Sequence, residues 1–93
     1  MVEITKGEGR IDLVVDGRAM GQIVYRRLDD TIIIIDSTDI DPALKGQGLG
    51  RRLVEAVVAL AREEGHRIRP DCPFARRVLE GDPAYADLLE PGA

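Results

Sequence analysis

The sequence predicts an α/β fold: one mixed, mostly antiparallel sheet of about five strands, a glycine-initiated helix, and short C-terminal helices. Three observations predict it. The tight-turn pair Asp16-Gly17 separates two apolar runs in the N-terminal part. The run Thr31-Ile32-Ile33-Ile34-Ile35 is apolar on both faces, as a covered central strand is. After Pro42 the apolar spacing changes from that of a strand to that of a helix.

Taken in order, residues 11–15 and 18–26 form a hairpin around Asp16-Gly17, and Leu28-Asp29-Asp30 makes the next turn. The isoleucine strand turns polar through Asp36-Ser37-Thr38-Asp39 before Ile40-Asp41-Pro42. Simple alternation puts Ser37 and Asp39 on one face, Asp36 and Thr38 on the other. Leu49, Leu53, Val57, Leu60 and Ala61, widened by Val54 and Val58, make one apolar helical stripe. Arg51, Arg52, Glu55, Arg62 and Glu63 fall largely opposite, and Gly65 is the left-handed stop. Residues 66–69 form a short strand cut off by Pro70; Pro73 opens a short helix to Leu79, and Pro83 a last one to Leu89. The long helix is expected on one sheet face and the short helices on the other. Ile32, Ile34, Leu53, Val57, Leu60, Ile68 and Phe74 are expected in the core. The 93 residues are expected to form a single domain, 1–93, with 91–93 a frayed tail.

Composition narrows the function classes. A hydrophobic share of 44% and a charged share of 32% are those of a globular protein, and no apolar stretch reaches membrane-span length. With no signal-like or transit-like start, the expected location is the cytoplasm, with no membrane partner. The single cysteine, Cys72, excludes an internal disulfide and offers no zinc-ligand spacing. A formal net charge of -4 argues against general nucleic-acid binding. Its distribution points elsewhere: residues 1–44 hold five Lys/Arg against nine Asp/Glu, 45–77 eight against four, and 78–93 none against four. A basic centre in an acidic chain suits a small anionic ligand.

That centre opens on Lys45-Gly46-Gln47-Gly48-Leu49-Gly50. Alternating glycines let the backbone pass close to a ligand, and they stand where the first helical turn leaves its N–H groups unpaired. Those donors and the helix dipole make an anion site. Two familiar nucleotide loops do not fit. A Walker A loop would end in Gly-Lys-Ser/Thr, whereas Gly50 is followed by Arg51-Arg52. A dinucleotide fingerprint would need glycine where Arg51 stands and an acidic residue about 20 positions on.

The order strand, polar strand end, proline, basic-Gly-x-Gly-x-Gly and amphipathic helix resembles the coenzyme A loop of the GCN5-related N-acetyltransferases (GNAT). Lys45 stands where that loop has Arg or Gln. Pro70-Asp71-Cys72-Pro73-Phe74 and the stretch Asp82-Pro83-Ala84-Tyr85-Ala86-Asp87-Leu88-Leu89 resemble a short YjdJ-type, or minimal, subgroup of that family. The resemblance covers residues 32–89, the N-terminal hairpin matching in pattern only. Three positions depart from the subgroup: Ser37 and Asp82 replace histidine, and Val78 replaces an aromatic.

The resemblance implies a GNAT-like domain that binds acetyl-CoA and moves the acetyl group to an amine. It implies that the pantetheine arm lies along Thr38, Asp39 and Ile40, and the diphosphate on Lys45, Gly46, Gln47, Gly48, Leu49 and Gly50, with Arg51 assisting its charge. The tyrosine that protonates the leaving thiolate in longer relatives is missing at Cys72-Pro73-Phe74. Cys72 is therefore a catalytic candidate, as acetyl acceptor or proton donor, against the alternative of a small packed residue. Asp39 is a candidate general base, against a solvated strand end. His66 is expected exposed, and Arg76 and Arg77 either extend the basic face or solubilise a helix. Two alternatives stay open: a non-catalytic acyl-CoA-binding module, and an interaction domain with a vestigial loop. The acceptor expected is an amine whose identity the residues do not give (a protein amine, a polyamine or a small amine). Its site is expected to be shallow, open, or completed by another molecule such as a second copy in a homodimer.

Overall fold

The computed structural model describes residues 1–90; the tail expected at 91–93 lies outside the described residues. Five strands lie side by side in chain order: β1 (Val2–Gly7), β2 (Arg10–Val15), β3 (Arg18–Arg27), β4 (Ile32–Ile40) and β5 (Arg67–Pro70). The first four pair antiparallel. β5 pairs parallel to β4 after a crossover through the long helix α1 (Leu49–Glu64), and α2 (Pro73–Glu80) follows it. The fold is thus the mixed, mostly antiparallel sheet that the sequence predicts. β1 is the element the sequence reading does not single out. Its signal is the brief alternation of Val2 and Ile4 with Glu3 and Thr5.

One apolar cluster joins Ile11, Leu13, Ile23, Ile33 and Ile35 of the sheet to Leu53, Val57 and Ala61 of α1 and to Ala75 and Leu79 of α2. Both helices therefore lie on the same face, and the expectation that the C-terminal helices close the other face is wrong. The reason lies at the end of β5. The Asp71 and Cys72 amides both donate to Ile35 O (3.0 and 3.1 Å), and Cys72 enters the cluster. That carries α2 onto the side α1 already covers.

The isoleucine run divides accordingly. Ile33 and Ile35 face the helices, whereas Ile34, also fully buried, faces out between its lateral neighbours Arg26 and Arg69. Long arginine stems shield such a position while their heads stay wet. Leu53, Val57 and Ile68 are buried as expected, while Ile32, Leu60 and Phe74 are only partly so.

Two bulges interrupt the ladders. In β3 Met20 has no partner between Ala19↔Val14 and Gly21↔Leu13. In β4 Asp36 has none between Ile35↔Tyr25 and Ser37↔Val24. One extra residue shifts the alternation that follows it. Thr38 therefore lies opposite the fully buried Ile23 and faces the helices, and Asp36 turns outward to Arg26 (3.0 Å). The expected pairing of Asp36 with Thr38 on one face is thereby corrected.

The C-terminal segment also departs from expectation. The helix expected from Pro83 to Leu89 is a single 3-10 turn, Pro83–Tyr85, capped by Asp82 accepting from the Ala84 amide (2.9 Å). The chain then runs beside β5, where the Ile68 amide donates to Leu88 O (2.7 Å) and the Glu90 amide to Ile68 O (3.0 Å).

At the far end of the sheet Arg27 is clamped between Glu64 of α1 and Glu8 of the β1–β2 turn (both 2.7 Å). The hydrogen bond from Arg27 holds the Glu64 carboxyl below the ordinary glutamate range. Hydrogen bonds from Thr31 and Arg62 likewise hold Asp29 and Asp87 low. A carboxyl depressed in the folded state stabilises above its unfolded value, and the gain is lost as pH falls through the folded value. Thermal unfolding should therefore show wild-type Tm falling more steeply than that of Arg27→Gln between about pH 5 and about pH 3. Parallel pH profiles of the two proteins would contradict the assignment.

Candidate functional site

The glycine loop joins a 3-10 turn, Pro42–Leu44, to α1. Asp41 caps that turn by accepting from the Ala43 amide (2.9 Å), while its own amide donates to Met20 O (2.8 Å), at the β3 bulge. The loop is thus anchored at its start. The three glycines then do different work. Gly46 (φ 83°) and Gly48 (φ 74°) hold left-handed dihedrals, with open space where a Cβ would stand. Gly50 sits inside the helix, where a Cβ would lie 2.9 Å from Phe74 Cζ. Two glycines shape the backbone, and the third lets α2 approach.

Among the described residues, no acceptor takes the amide hydrogens of residues 46–51. The first helical bond is Arg52 N–H to Gly48 O (3.3 Å), and Gly48 offers no side chain to cap the turn. Six consecutive unpaired donors therefore lie at the positive end of a 16-residue helix. All of these residues but Gln47 border a cavity of about 610 Å³. Its wall combines Thr38 and Ile40 of β4 with Leu44, Lys45, Gly46 and Gly48 of the loop. Leu49, Gly50 and Arg51 of α1 and Phe74, Arg77 and Val78 of α2 complete it.

The opposite wall is an open strand edge. β4 pairs with β5 from Ile32↔Arg67 only as far as Ile35↔Pro70, so residues 36–40 have a strand neighbour on the β3 side alone. Pro70 has no amide to extend the ladder, and Pro73 begins α2. Two prolines and a bulge open the sheet where the glycine loop faces it.

Most of the sequence-predicted residues meet here. Thr38, Ile40, Lys45, Gly46, Gly48, Leu49, Gly50 and Arg51 line the cavity, whereas Gln47 is exposed outside its wall. Lys45 and Arg77 have no ion-pair partner among the described residues, so their charge is available to the cavity. Arg51 is partly engaged by Asp82 (3.2 Å) and Glu55 (3.5 Å). Arg76 is structural, donating to Pro70 O (2.9 Å) and pairing with Glu80. Phe74, Leu44 and Val78 are wall residues that the sequence reading does not assign; an apolar residue one helical turn from Arg77 was the available signal for Phe74.

The two residues expected to carry chemistry lie apart. Cys72 is buried, and its Sγ donates to Thr38 Oγ1 (3.6 Å) just behind the cavity wall. Asp39 is exposed on the outer face opposite Gln22, beside a second cavity of about 370 Å³ that also includes Asp12 and Asp41. Neither tyrosine lines the main cavity: Tyr25 donates to Gly7 O (3.2 Å) and Tyr85 to Glu55 (3.4 Å). His66 is not exposed as expected. Its side chain is 10% accessible, at the opposite end of α1, with Nδ1 3.5 Å from Glu64.

The family model for GCN5-related N-acetyl-transferases matches residues 10–88. The solution structure of a GCN5-like protein from Staphylococcus aureus is 37% identical, covering 95% of this chain and 87% of that one, with a TM-score of 0.78. The ribosomal-protein-S18-alanine N-acetyltransferase of Escherichia coli is 20% identical, covering 82% of this chain and 53% of that one, with a TM-score of 0.67. A GNAT family acetyltransferase from Elizabethkingia anophelis, crystallised with acetyl-CoA bound, is 14% identical, covering 77% and 50%, with a TM-score of 0.65. The last two share the fold, and this chain spans about half of their length. The comparison with curated proteins gives no match.

The Gly50–Phe74 contact makes a testable demand. Gly50→Ala should destabilise by about 1–3 kcal/mol through overpacking. In a Phe74→Ala background the same change should be neutral or stabilising by up to about 1 kcal/mol, because alanine is the better helix former. Urea unfolding of the four proteins checks this, and equal effects in both backgrounds would show that Phe74 does not require the glycine.

Proposed function

The chain belongs to the GCN5-related N-acetyltransferase family, and from that premise we propose that it binds acetyl-CoA at the α1 N-terminus and transfers the acetyl group to an amine. The single observation that carries this reading is the row of unaccepted amides at residues 46–51 facing an unpaired strand edge at residues 36–40. A diphosphate needs several convergent N–H donors, and an amide-bearing arm needs an open strand edge. The residues present fit both demands. The amides of Gly46, Gln47, Gly48, Leu49, Gly50 and Arg51 would hold the diphosphate, with Lys45 and Arg77 supplying positive charge. Thr38, Asp39 and Ile40 would offer their backbone to the pantetheine arm, and Leu44, Phe74 and Val78 give that arm an apolar wall. Acetyl-CoA supplies an activated thioester, so the protein's own task is to orient it, exclude water and manage two protons. Asp39, on the outer face, is our candidate base for the incoming amine, and Cys72, behind Thr38, our candidate for the leaving side.

We also place the chain in a short, minimal subgroup of the family. Coverage of 87% of the Staphylococcus aureus protein against about half of the longer enzymes supports that placement. Among the described residues both helices lie on one sheet face; an amine site on the uncovered outer face would suit a protein amine or polyamine. One observation favours a second reading, an acyl-CoA-binding module without catalysis: no tyrosine reaches the cavity to protonate a thiolate.

Thermal unfolding with acetyl-CoA tests the binding claim. At 100 times its dissociation constant a ligand specific for the folded state stabilises by about 2.7 kcal/mol. Gly48→Val, which closes the loop's left-handed turn to the backbone it needs, should abolish most of the shift. No shift in the wild-type protein at high acetyl-CoA would remove the proposal. Turnover of acetyl-CoA against polyamines and lysine peptides then separates the enzyme from the module.

A further inference from the structure

We propose that the Thr38 hydroxyl is the group that protonates the leaving sulfur, and that Cys72 orients that hydroxyl and restores its proton. This deepens the acetyltransfer reading and rests on it.

The argument starts from the bulge at Asp36. With regular alternation Thr38 would face outward and Ser37 inward; the extra residue reverses this and brings a hydroxyl into the wall of the cavity. Thr38 is a side-chain hydroxyl on the strand segment that the arm would follow. Its oxygen already accepts from Cys72 Sγ at 3.6 Å, and it makes no other side-chain hydrogen bond among the described residues. A hydroxyl that accepts at its oxygen keeps its own O–H free to donate, and Thr38 is part of the cavity wall. Cys72 itself is 6% accessible and absent from the cavity wall, so it reaches a ligand only through Thr38. Its backbone is fixed too, the amide bonded to Ile35 O and the carbonyl to the Arg76 amide (3.0 Å). The sulfur is therefore a held donor behind the hydroxyl, in the region that lacks a tyrosine.

The proton count closes. As the new nitrogen–carbon bond forms, the carbon–sulfur bond breaks and its electron pair stays on the coenzyme sulfur. Thr38 Oγ1 gives its proton to that sulfur and takes one from Cys72 Sγ. The exchange runs from a thiol to a thiolate, so no strongly uphill species accumulates. Cys72 is left as a thiolate. Once coenzyme A has left, the proton that the acceptor nitrogen gave to solvent returns through the Thr38 hydroxyl in the cavity wall, which passes its own proton to Cys72 Sγ. Thr38 is the catalytic residue in this scheme, and Cys72 positions and recharges it.

The test needs no acceptor. The probe is coenzyme A itself, whose free thiol stands for the leaving group. Binding is first measured by calorimetry. The thiolate absorbance of the complex is then titrated in the ultraviolet, with desulfo-coenzyme A as the subtraction that removes the signal of Cys72. A hydrogen bond to the charged sulfur should make bound coenzyme A ionise about one pH unit lower than in Thr38→Val. Thr38→Ser should restore the wild-type midpoint, and Thr38→Ala should repeat the valine result should the branched side chain disturb packing. Cys72→Ala should move the midpoint part of the way in the wild-type background and not at all in Thr38→Val, because Cys72 acts only through Thr38. An unchanged midpoint in Thr38→Val and Thr38→Ala, with coenzyme A still bound, overturns the relay and leaves the family reading standing. Failure of coenzyme A to bind the wild-type protein overturns both.

Discussion

One surplus residue in a strand, Asp36, sets the geometry of everything around the cavity. Its lack of a partner on β3 reverses the facing of all that follows in β4. Before it, Ile33 and Ile35 supply the core; after it, Thr38 and Ile40 continue the same face but line a cavity instead. The reversal is not free to slip, because Ile40 packs over Gly21, where a Cβ would stand 2.7 Å from Ile40 Cδ1. The surplus residue itself is held on the outer face, Asp36 by Arg26 at 3.0 Å. The bulge is thus locked on both faces, by a steric fit on one and an ion pair on the other.

Against that fixed strand the rest of the site is assembled by close approach. β5 leaves β4 after Ile35, where Pro70 ends the ladder and the Asp71 and Cys72 amides turn back to the Ile35 carbonyl. α2 follows onto the helix face, and Phe74 meets α1 at Gly50. The α1 N-terminus, the open edge of β4 and the first turn of α2 are therefore three sides of one space. No single element makes the site. The unsatisfied amides of residues 46–51 give it an electrostatic preference, and Lys45 and Arg77 reinforce that preference without being neutralised by partners among the described residues.

Much of this was legible in the residues. The hairpin at Asp16-Gly17, the central isoleucine strand, the glycine entry and the Gly65 stop of α1 each follow from a local rule. They stand where those rules put them. The loop's place in the cavity was legible for the same reason, since helix entry and glycine spacing are local properties. What was not legible depends on pairing. Period-two alternation cannot announce a bulge, so Asp36 and Thr38 were expected together and are found on opposite faces. Nothing in residues 70–80 says which face α2 will take, because that depends on where β5 releases the chain. The 3-10 turn at Pro83–Tyr85 replaced an expected helix because its capped turn and the Ile68–Leu89 bridge satisfy the same backbone groups. His66 looked exposed beside a glycine, yet the fold returns it against α1 with its amide on Ala61 O (2.8 Å).

The central claim is that a diphosphate-bearing ligand sits on the loop amides with its arm along the open edge of β4. Amide proton–nitrogen spectra recorded during a titration with coenzyme A test this residue by residue. The account predicts the largest shifts at Gly46, Gly48, Leu49, Gly50 and Arg51, and a second set at Thr38, Asp39 and Ile40. Amides of β1 and of the Arg27–Glu64 end should stay still. Shifts confined to the outer cavity around Asp12 and Gln22, or none at saturating coenzyme A, would contradict it.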